Sequence, residues 1–249
     1  MDLSLVVGID YAHLDQLTYS LPTWLKYKPK ITRLPLVVIY DAYEISVMDK
    51  RLKLVKKAFS HLSFVPWKPP INLYSDQREK MLTALVTAPR HVKTEWYVQI
   101  DTDVYAKSNE SWTNRRWFRN PENVIVSNPW GYTKPANALE TLDDWGDKVD
   151  LLKPHPRLNV FYDPKSDLVS YPRIASWIIF AKTNFSLSVI DSLDKVDGHP
   201  KLPVPSQDTL LWYCAARSKK GIVKFPFREA GWNVAPTTGK LKQVCTELK

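Results

Sequence analysis

The sequence contains little glycine and little cysteine. Of its 249 residues, 7 are glycine and 2 are cysteine. Cys214 and Cys245 form neither a metal-ligand spacing nor a disulfide framework, which favours a reducing compartment. No Gly-x-Gly-x-x-Gly follows the first predicted strand, which argues against a dinucleotide-cofactor enzyme. Because glycine-rich linkers are also missing, the length predicts one domain with a substantial core.

Long apolar runs and a basic leader are absent as well. No stretch of about 18 apolar residues occurs, so we expect no segment to span a bilayer. The start of the chain, Met1-Asp2-Leu3, lacks the basic residues of a signal peptide, and its apolar run is interrupted at Asp10. We therefore expect a soluble, cytoplasmic protein, for which peripheral contact with a membrane stays open.

Positive charge and aromatic rings are plentiful. Lys and Arg number 35 against 26 Asp and Glu, which gives a net charge of +9. Such a field attracts phosphates, whether of nucleotides, nucleic acids or membrane surfaces, and does not choose among them. The 19 prolines and 10 tryptophans predict structured loops that carry rings. Rings on loops are surfaces against which sugars and bases stack.

The first third of the chain alternates between two kinds of pattern. Short apolar runs predict strands and amphipathic segments predict helices, in the order 3–9 (strand), 14–27 (helix), 35–41 (strand), 49–61 (helix) and 62–67 (strand). Pro22 is expected to kink or split the first helix. This β-α-β-α-β order implies a parallel sheet with right-handed crossovers, a Rossmann-like half.

The stretch that organises the chain is a strand that runs into two acids. Trp96–Ile100 is mostly apolar and aromatic, and Asp101-Thr102-Asp103 follows directly. Residues i and i+2 of a strand point to one face, and ligands of open α/β sheets bind at the carboxyl ends of strands. Two hard oxygen ligands suit Mg²⁺ or Mn²⁺ bound together with substrate phosphates. A polar turn after a buried strand is the alternative interpretation.

The rest of the chain is less regular. Its segments are a basic, Trp-rich stretch (111–120), three strands (123–127, 174–181, 222–227), an irregular Pro-rich stretch (128–172) with a short helix at 138–145, and helices at 183–193 and 206–220. An irregular stretch this long inside a compact domain is usually functional.

Two charged residues lie in first turns of predicted helices. Arg78 is in the first turn of the helix at 76–86, where free amide groups favour anions. Asp208 is in the first turn of the helix that Ser206 opens. Each residue has a simpler interpretation: Arg78 as an exposed helix side chain, and Asp208 as an acid that stabilises the helix dipole.

The order of these features resembles that of the GT-A glycosyltransferases over roughly residues 3–227. The chain is similar to compact members of that group from bacteria and large viruses. The resemblance implies a single α/β domain, 1–249, with a Rossmann-like, mixed, mostly parallel central sheet flanked by helices. Residues 1–105 would form the half that binds a nucleotide sugar, and 106–249 the half that binds the acceptor.

The resemblance also implies roles for individual residues. Asp101-Thr102-Asp103 matches the D-x-D motif, whose last acid binds Mn²⁺ or Mg²⁺ and whose first contacts ribose or metal-bound water; we count both acids as predicted metal ligands. Asp10 and Tyr11 match positions that flank the nucleoside base, and so does Asp41. Arg78 matches the basic residue that reaches the diphosphate.

The resemblance continues at Asp208. The stretch Gln207-Asp208-Thr209-Leu210-Leu211-Trp212 looks like the E-D-x-x-L-W stretch of inverting members, whose acid is the catalytic base. Gln207 stands where many members have Glu, so Asp208 would serve alone. Some members use a C-terminal His as a further metal ligand, but no histidine follows Asp208 here. That ligand is absent or replaced.

The expected function is metal-dependent hexosyl transfer. The donor would be a nucleotide-diphosphate sugar, with a UDP-sugar favoured, and the acceptor a hydroxyl of a glycan or glycoconjugate. Trp130, Tyr132 and Trp177 are candidates for packing against sugar faces, or for the core. A sugar-phosphate nucleotidyltransferase is one alternative, although residues 10–13 are not its Gly-rich loop. A non-catalytic basic protein that binds glycans or nucleic acid is the other, although no nucleic-acid motif is visible.

Overall fold

The structure is a computed structural model, and every structural statement below concerns the residues that it describes. These are residues 2–74, 77–133, 161–163, 168–201, 210–211, 214–215, 218 and 220–248. For residues 78–79, 128–133, 161–163 and 168–176 the description covers the backbone only.

The described residues form twelve strands and six α-helices, with short 3₁₀ turns between them. The strands are β1 (Leu3–Ile9), β2 (Leu36–Asp41), β3 (Leu62–Trp67), β4 (Trp96–Ile100), β5 (Val104–Ala106), β6 (Asn123–Thr133), β7 (Phe161–Asp163), β8 (Leu168–Lys182), β9 (Lys195–Val196), β10 (His199–Pro200), β11 (Gly221–Lys224) and β12 (Trp232–Val234). The helices are α1 (Tyr11–Tyr27), α2 (Lys53–Ala58), α3 (Gln77–Thr87), α4 (Arg115–Arg119), α5 (Thr183–Asp191) and α6 (Thr238–Glu247).

A mixed sheet forms the centre of the fold, with the strand order β11-β6-β8-β4-β1-β2-β3 and with β7 paired to β8. Strands β4, β1, β2 and β3 are parallel neighbours, and β11 is parallel to β6. Strand β8 runs antiparallel to both β4 and β6. The predicted Rossmann-like, mostly parallel sheet flanked by helices is therefore confirmed.

Helices cover both faces of this sheet because its central strands are apolar on both sides. One face packs on α1, whose buried side chains recur at helical spacing: Leu14, Leu17, Leu21 and Trp24. The other face packs on α3 through Met81, Ala84 and Leu85. Gly8 lets α3 approach closely, since a Cβ there would lie 2.7 Å from Cδ2 of Leu85. A side chain at position 8 would thus push α3 away from the sheet.

Two predicted helices differ from the observed ones. Helix α1 begins at Tyr11 and continues through Pro22 without a break, since the buried residues on both sides of the proline hold it against the sheet. The segment 49–61 is only a 3₁₀ turn, Lys50–Leu52, followed by the short α2. It ends early because Phe59 is extended, with φ −113° and ψ 120°, which leads the chain into β3.

Strands β6 and β8 are longer than predicted. The sequence indicates irregular structure from residue 128 to 172, but β6 reaches Thr133 and β8 begins at Leu168. The two strands pair with each other with register shifts near Pro129 and Trp130, and this pairing supplies hydrogen bonds that no local pattern reveals. The helix predicted at 138–145 lies outside the described residues.

None of the helices in the described residues has the length and apolar character needed to cross a membrane.

Candidate active site

Three predicted site acids lie side by side at one edge of the sheet. Strands β4, β1 and β2 are adjacent and parallel, so their carboxyl ends meet at the same edge. Asp101 follows β4, Asp10 follows β1, and Asp41 is the last residue of β2. Neighbouring strands lie about 4.8 Å apart. The topology therefore brings together residues that are far apart in the sequence.

The D-x-D residues form a turn. Strand β4 ends at Ile100, and the amide of Val104 donates to the carbonyl of Asp101 at 3.2 Å. The alternation of side chains along a strand therefore does not explain how the two carboxylates are brought together. That they are close is shown by His13, whose imidazole interacts electrostatically with both Asp101 and Asp103. Both acids lie near the N-terminal end of α1.

The surrounding chain holds this turn from three directions. The amide of Asp101 donates to the carbonyl of Trp177 on β8 at 3.0 Å. The hydroxyl of Thr102 donates to Oε1 of Gln16 on α1 at 2.7 Å. The carbonyl of Asp103 accepts from the amide of Ala235 at 3.1 Å, just after β12 pairs with β5. The turn is therefore held by α1, β8 and the C-terminal segment.

Asp103 is the least satisfied of these acids. Its Oδ1 is buried and has no hydrogen-bond partner within the described part of the chain. Burial raises the pKa of this carboxyl above its usual value, with the charge of His13 opposing the rise. A buried carboxylate oxygen without a donor is unfavourable. A divalent cation at this oxygen would remove that penalty.

Asp10 caps α1 and contacts His13. Its Oδ1 accepts from the amide of His13 at 2.8 Å and lies 2.7 Å from Nδ1 of the same residue. Burial disfavours the charged carboxylate, but the contacts with His13 and the amide of Ala12 outweigh it and lower the pKa of Asp10. Burial also disfavours the charged imidazole, but Asp10, Asp101 and Asp103 outweigh it and raise the pKa of His13.

Tyr11 presents its ring to solvent at this edge. The side chain is 59% exposed, and the guanidinium carbon of Arg51 lies 4.5 Å from the ring centroid. Arg51 is held by Asp49 and Asp15, with N–O distances of 2.8 Å to each. The amide of Tyr11 donates to Oε2 of Glu44 at 3.0 Å. The site thus offers a supported aromatic surface, as the predicted contact with a base requires.

Both carboxylate oxygens of Asp41 already accept hydrogen bonds from other residues of the protein. Its Oδ2 accepts from Nε2 of Gln77 at 2.7 Å and from Nζ of Lys80 at 2.5 Å, and its Oδ1 accepts from the amide of Tyr43 at 2.9 Å. Burial opposes ionisation, but these hydrogen bonds and the charge of Lys80 outweigh it and lower the pKa of Asp41. The observed role of Asp41 is to hold the first turn of α3 at the sheet edge.

The other predicted site residues are only partly placed. Arg78 lies in the first turn of α3, and its side chain is outside the described part. Asp208 lies outside the described residues, as do the side chains of Trp130 and Tyr132. The ring of Trp177 packs on Phe227 with a centroid distance of 5.2 Å.

Two residues of the site, His13 and Lys80, are not predicted from the sequence. His13 lies three residues after the N-cap Asp10, and Lys80 lies three residues after Gln77. Helical spacing of three places two side chains on one face, and that spacing was the available signal for both. His13, when protonated, adds a cation beside the D-x-D turn, and Lys80 adds one beside β2. The ring of Tyr43 lies 4.8 Å from Nζ of Lys80.

The described residues suit a metal ion that takes one or two ligands from the protein and the others from water and substrate phosphates. Within them, no set of three or more His, Cys, Asp and Glu side chains is arranged to hold a metal ion. The orphaned Oδ1 of Asp103 nonetheless fits a divalent cation. Mg²⁺ commonly takes one or two carboxylates and completes its shell with water and substrate phosphates. Asp101 and Asp103 fit that arrangement.

Solved structures share this fold. Core-mannan synthase A from Aspergillus fumigatus, in its Mn/GDP form, has a TM-score of 0.62 at 12% identity, over 95% of this chain and 75% of that one. The mannosyltransferase PcManGT from Pyrobaculum calidifontis, in complex with GDP-Man and Mn²⁺, has a TM-score of 0.54 at 14% identity, over 90% and 55%. The galactosyltransferase LgtC, in complex with donor and acceptor sugar analogs, has a TM-score of 0.50 at 10% identity, over 89% and 72%. No protein-family model and no curated protein matches the sequence.

Proposed function

We propose that this chain, which has the GT-A glycosyltransferase fold, is a metal-dependent glycosyltransferase. It would move a hexosyl group from a nucleotide-diphosphate sugar to a hydroxyl of a glycan or glycoconjugate. The observation that carries the proposal is the D-x-D turn at the carboxyl edge of β4, where Oδ1 of Asp103 is buried without a partner. Similar structures that contain Mn and GDP or GDP-Man support the same chemistry.

The acids of the turn would bind the donor together with a cation. Asp101 and Asp103 would hold Mn²⁺ or Mg²⁺, which when bound neutralises the negative charge of the diphosphate leaving group. Arg78 would reach the diphosphate from the first turn of α3, where the helix amides also favour anions. His13 interacts electrostatically with both acids and would add positive charge there when protonated.

The nucleoside would lie along the ends of β1 and β2. The exposed ring of Tyr11 offers a surface for the base. Asp41 would contribute indirectly, because its carboxylate is already bonded to Gln77 and Lys80 and so positions α3. The UDP-sugar that the sequence favours remains the first donor to test. GDP-sugars belong in the same test, since core-mannan synthase A and PcManGT contain GDP and GDP-Man.

Asp208 would be the catalytic base of an inverting reaction. Its carboxylate would take the proton from the acceptor hydroxyl as that oxygen attacks the anomeric carbon. The neighbouring Leu210 and Leu211 are helical and buried against the sheet face that α3 covers. Replacing Asp208 with Asn should lower turnover far more than donor affinity.

A donor screen tests the proposal. The melting temperature is measured with a panel of UDP- and GDP-sugars, each with Mn²⁺ and with chelator, since a ligand that binds the folded state stabilises it. We expect one donor to stabilise the protein only when Mn²⁺ is present, and to release a nucleoside diphosphate on turnover. Release of pyrophosphate from a nucleoside triphosphate would instead identify a nucleotidyltransferase. Stabilisation by no nucleotide would refute both.

A further inference from the structure

A cavity lies at the C-terminal end of α1, whereas Asp10 and the D-x-D turn lie near its N-terminal end. It has a volume of about 600 Å³ and is lined by the start of β1, by the end of α1 with the 3₁₀ turn Pro29–Arg33, and by residues 109–113. The 17 residues of α1 separate it from Asp10, a distance of about 25 Å at 1.5 Å per residue. This cavity is therefore independent of the donor site.

The lining of this cavity is strongly positive. Its basic residues are Lys26, Lys28, Lys30 and Arg33, and its one acid is Glu110. Among the described residues, no carboxylate forms a salt bridge with Lys30 or Arg33, and both side chains reach the exposed rim. Hydroxyl groups and rings, those of Ser111, Thr113, Tyr27 and Trp112, complete the wall. The cavity combines cations, neutral donors and apolar surface.

Lys28 is a buried cation without a bonded counter-ion in the described part of the chain. The residue is 3% exposed, and its Nζ donates to the backbone carbonyls of Glu110 and Ala230, each at 2.7 Å. Nζ also lies 5.6 Å from the ring centroid of Trp232. Burial lowers the pKa of Lys28 to about 8, and the charge of Glu110 only partly opposes this. An ammonium group has three N–H donors, and the two carbonyls accept from only two of those of Lys28 among the described residues.

We propose that this cavity is a binding site for a phosphate monoester, whose dianion is held by Lys30 and Arg33 over the buried ammonium of Lys28. A guanidinium binds two phosphate oxygens at once, and an ammonium binds as a compact charge. The apolar and aromatic wall fits the organic part of the molecule. The monoester group is carried both by small metabolites and by phosphatidic acid, and the two sources share this chemistry.

Calorimetry with inorganic phosphate and glycerol 3-phosphate tests the proposal. The titrations use the full chain with chelator present and at constant ionic strength. The variant K30Q/R33Q removes two cations from the cavity. The matched control K53Q/K57Q removes the same charge from the exposed side of α2. We expect the cavity variant to bind phosphate about tenfold more weakly than the wild type and the control to bind like the wild type. Equal weakening in both variants, or no binding by the wild type, would overturn the proposal.

Lys28 provides a readout that does not depend on these variants. Its pKa can be followed by NMR of ¹³C-labelled lysine side chains, with and without phosphate. A dianion beside the ammonium must raise that pKa, so an unchanged value at saturating phosphate refutes the site. Vesicles of phosphatidylcholine with and without phosphatidic acid then separate the two sources. Binding to the acidic vesicles that is tighter than binding of free glycerol 3-phosphate, and that is weakened in K30Q/R33Q, identifies the lipid headgroup as the ligand. Binding of free glycerol 3-phosphate with no preference for the acidic vesicles identifies a soluble one.

Discussion

The ammonium group of Lys80 lies 2.5 Å from Oδ2 of Asp41 and joins α3 to the carboxyl end of β2. Gln77, one turn earlier on the same helix, donates to the same oxygen. Asp41 has no exposed surface, so its charge is tolerated only because these donors surround it. The pair therefore fixes the first turn of α3, which carries Arg78, against the edge where the acids lie.

Replacing Asp41 with Asn should destabilise the protein. Removing one partner of a buried ion pair leaves the other uncompensated, so the free energy of unfolding at neutral pH should fall by about 3 kcal/mol. Because the folded-state pKa of Asp41 is lowered, its contribution is present above its ordinary pKa of 3.8 and is lost as the pH falls through the folded value. Denaturant unfolding at several pH values should show the gap between wild type and variant closing in acid. Asp191→Asn, at an exposed pair with Arg90, is the control and should change little.

Replacing Asp103 with Asn should stabilise the metal-free protein and abolish its response to metal. The substitution removes a desolvated charge whose Oδ1 has no partner in the described structure, so the free energy of unfolding should rise by about 1 kcal/mol. The Mn²⁺-dependent rise in melting temperature should disappear, and so should metal-dependent turnover. A variant that still responds to Mn²⁺ like the wild type would show that Asp103 is not a ligand.

Replacing Gln99 with Met should stabilise the fold. Gln99 is 1% exposed on β4, and both polar atoms of its amide lack hydrogen-bond partners among the described residues. Methionine has a similar volume and no polar group to satisfy, so the free energy of unfolding should rise by about 1 kcal/mol or more. Chemical denaturation measures this change. A loss of stability would mean that an ordered water satisfies the amide.

The pH dependence of stability should show that the pKa of Lys28 is lowered in the folded protein. Its pKa is about 8 in the folded protein against an ordinary 10.5. Between these values the unfolded chain binds the proton and the folded chain does not, so the contribution of Lys28 to stability rises with pH; below about 8 it is constant. The difference in unfolding free energy between wild type and Lys28→Met, measured in phosphate-free buffer, should follow this course. A flat difference from pH 8 to 10.5 would contradict the lowered pKa.

The sequence predicts the positions of the site acids better than their roles. Apolar runs that end in Asp10, Asp41 and Asp101 place these residues at strand ends, and a parallel sheet brings such ends to one edge. The sequence does not reveal that the carboxylate of Asp41 binds Gln77 and Lys80, because these contacts depend on how α3 packs against the sheet. The long pairing of β6 with β8 is equally invisible, since each of the two segments that it joins beyond the predicted strands contains a proline, Pro129 or Pro172, and no clear alternation of apolar and polar residues.

The C-terminal segment holds the D-x-D turn in place. Ala235 bonds the carbonyl of Asp103, and β12 pairs with β5 immediately after the D-x-D turn. Thr238, at the start of α6, accepts from the same Gln16 side chain that receives the hydroxyl of Thr102. A protease that cut the chain just before β12 would take away no predicted ligand, yet it would release the turn that carries them. We therefore expect the affinity for Mn²⁺ to fall when the segment from β12 to α6 is cut from the rest of the chain.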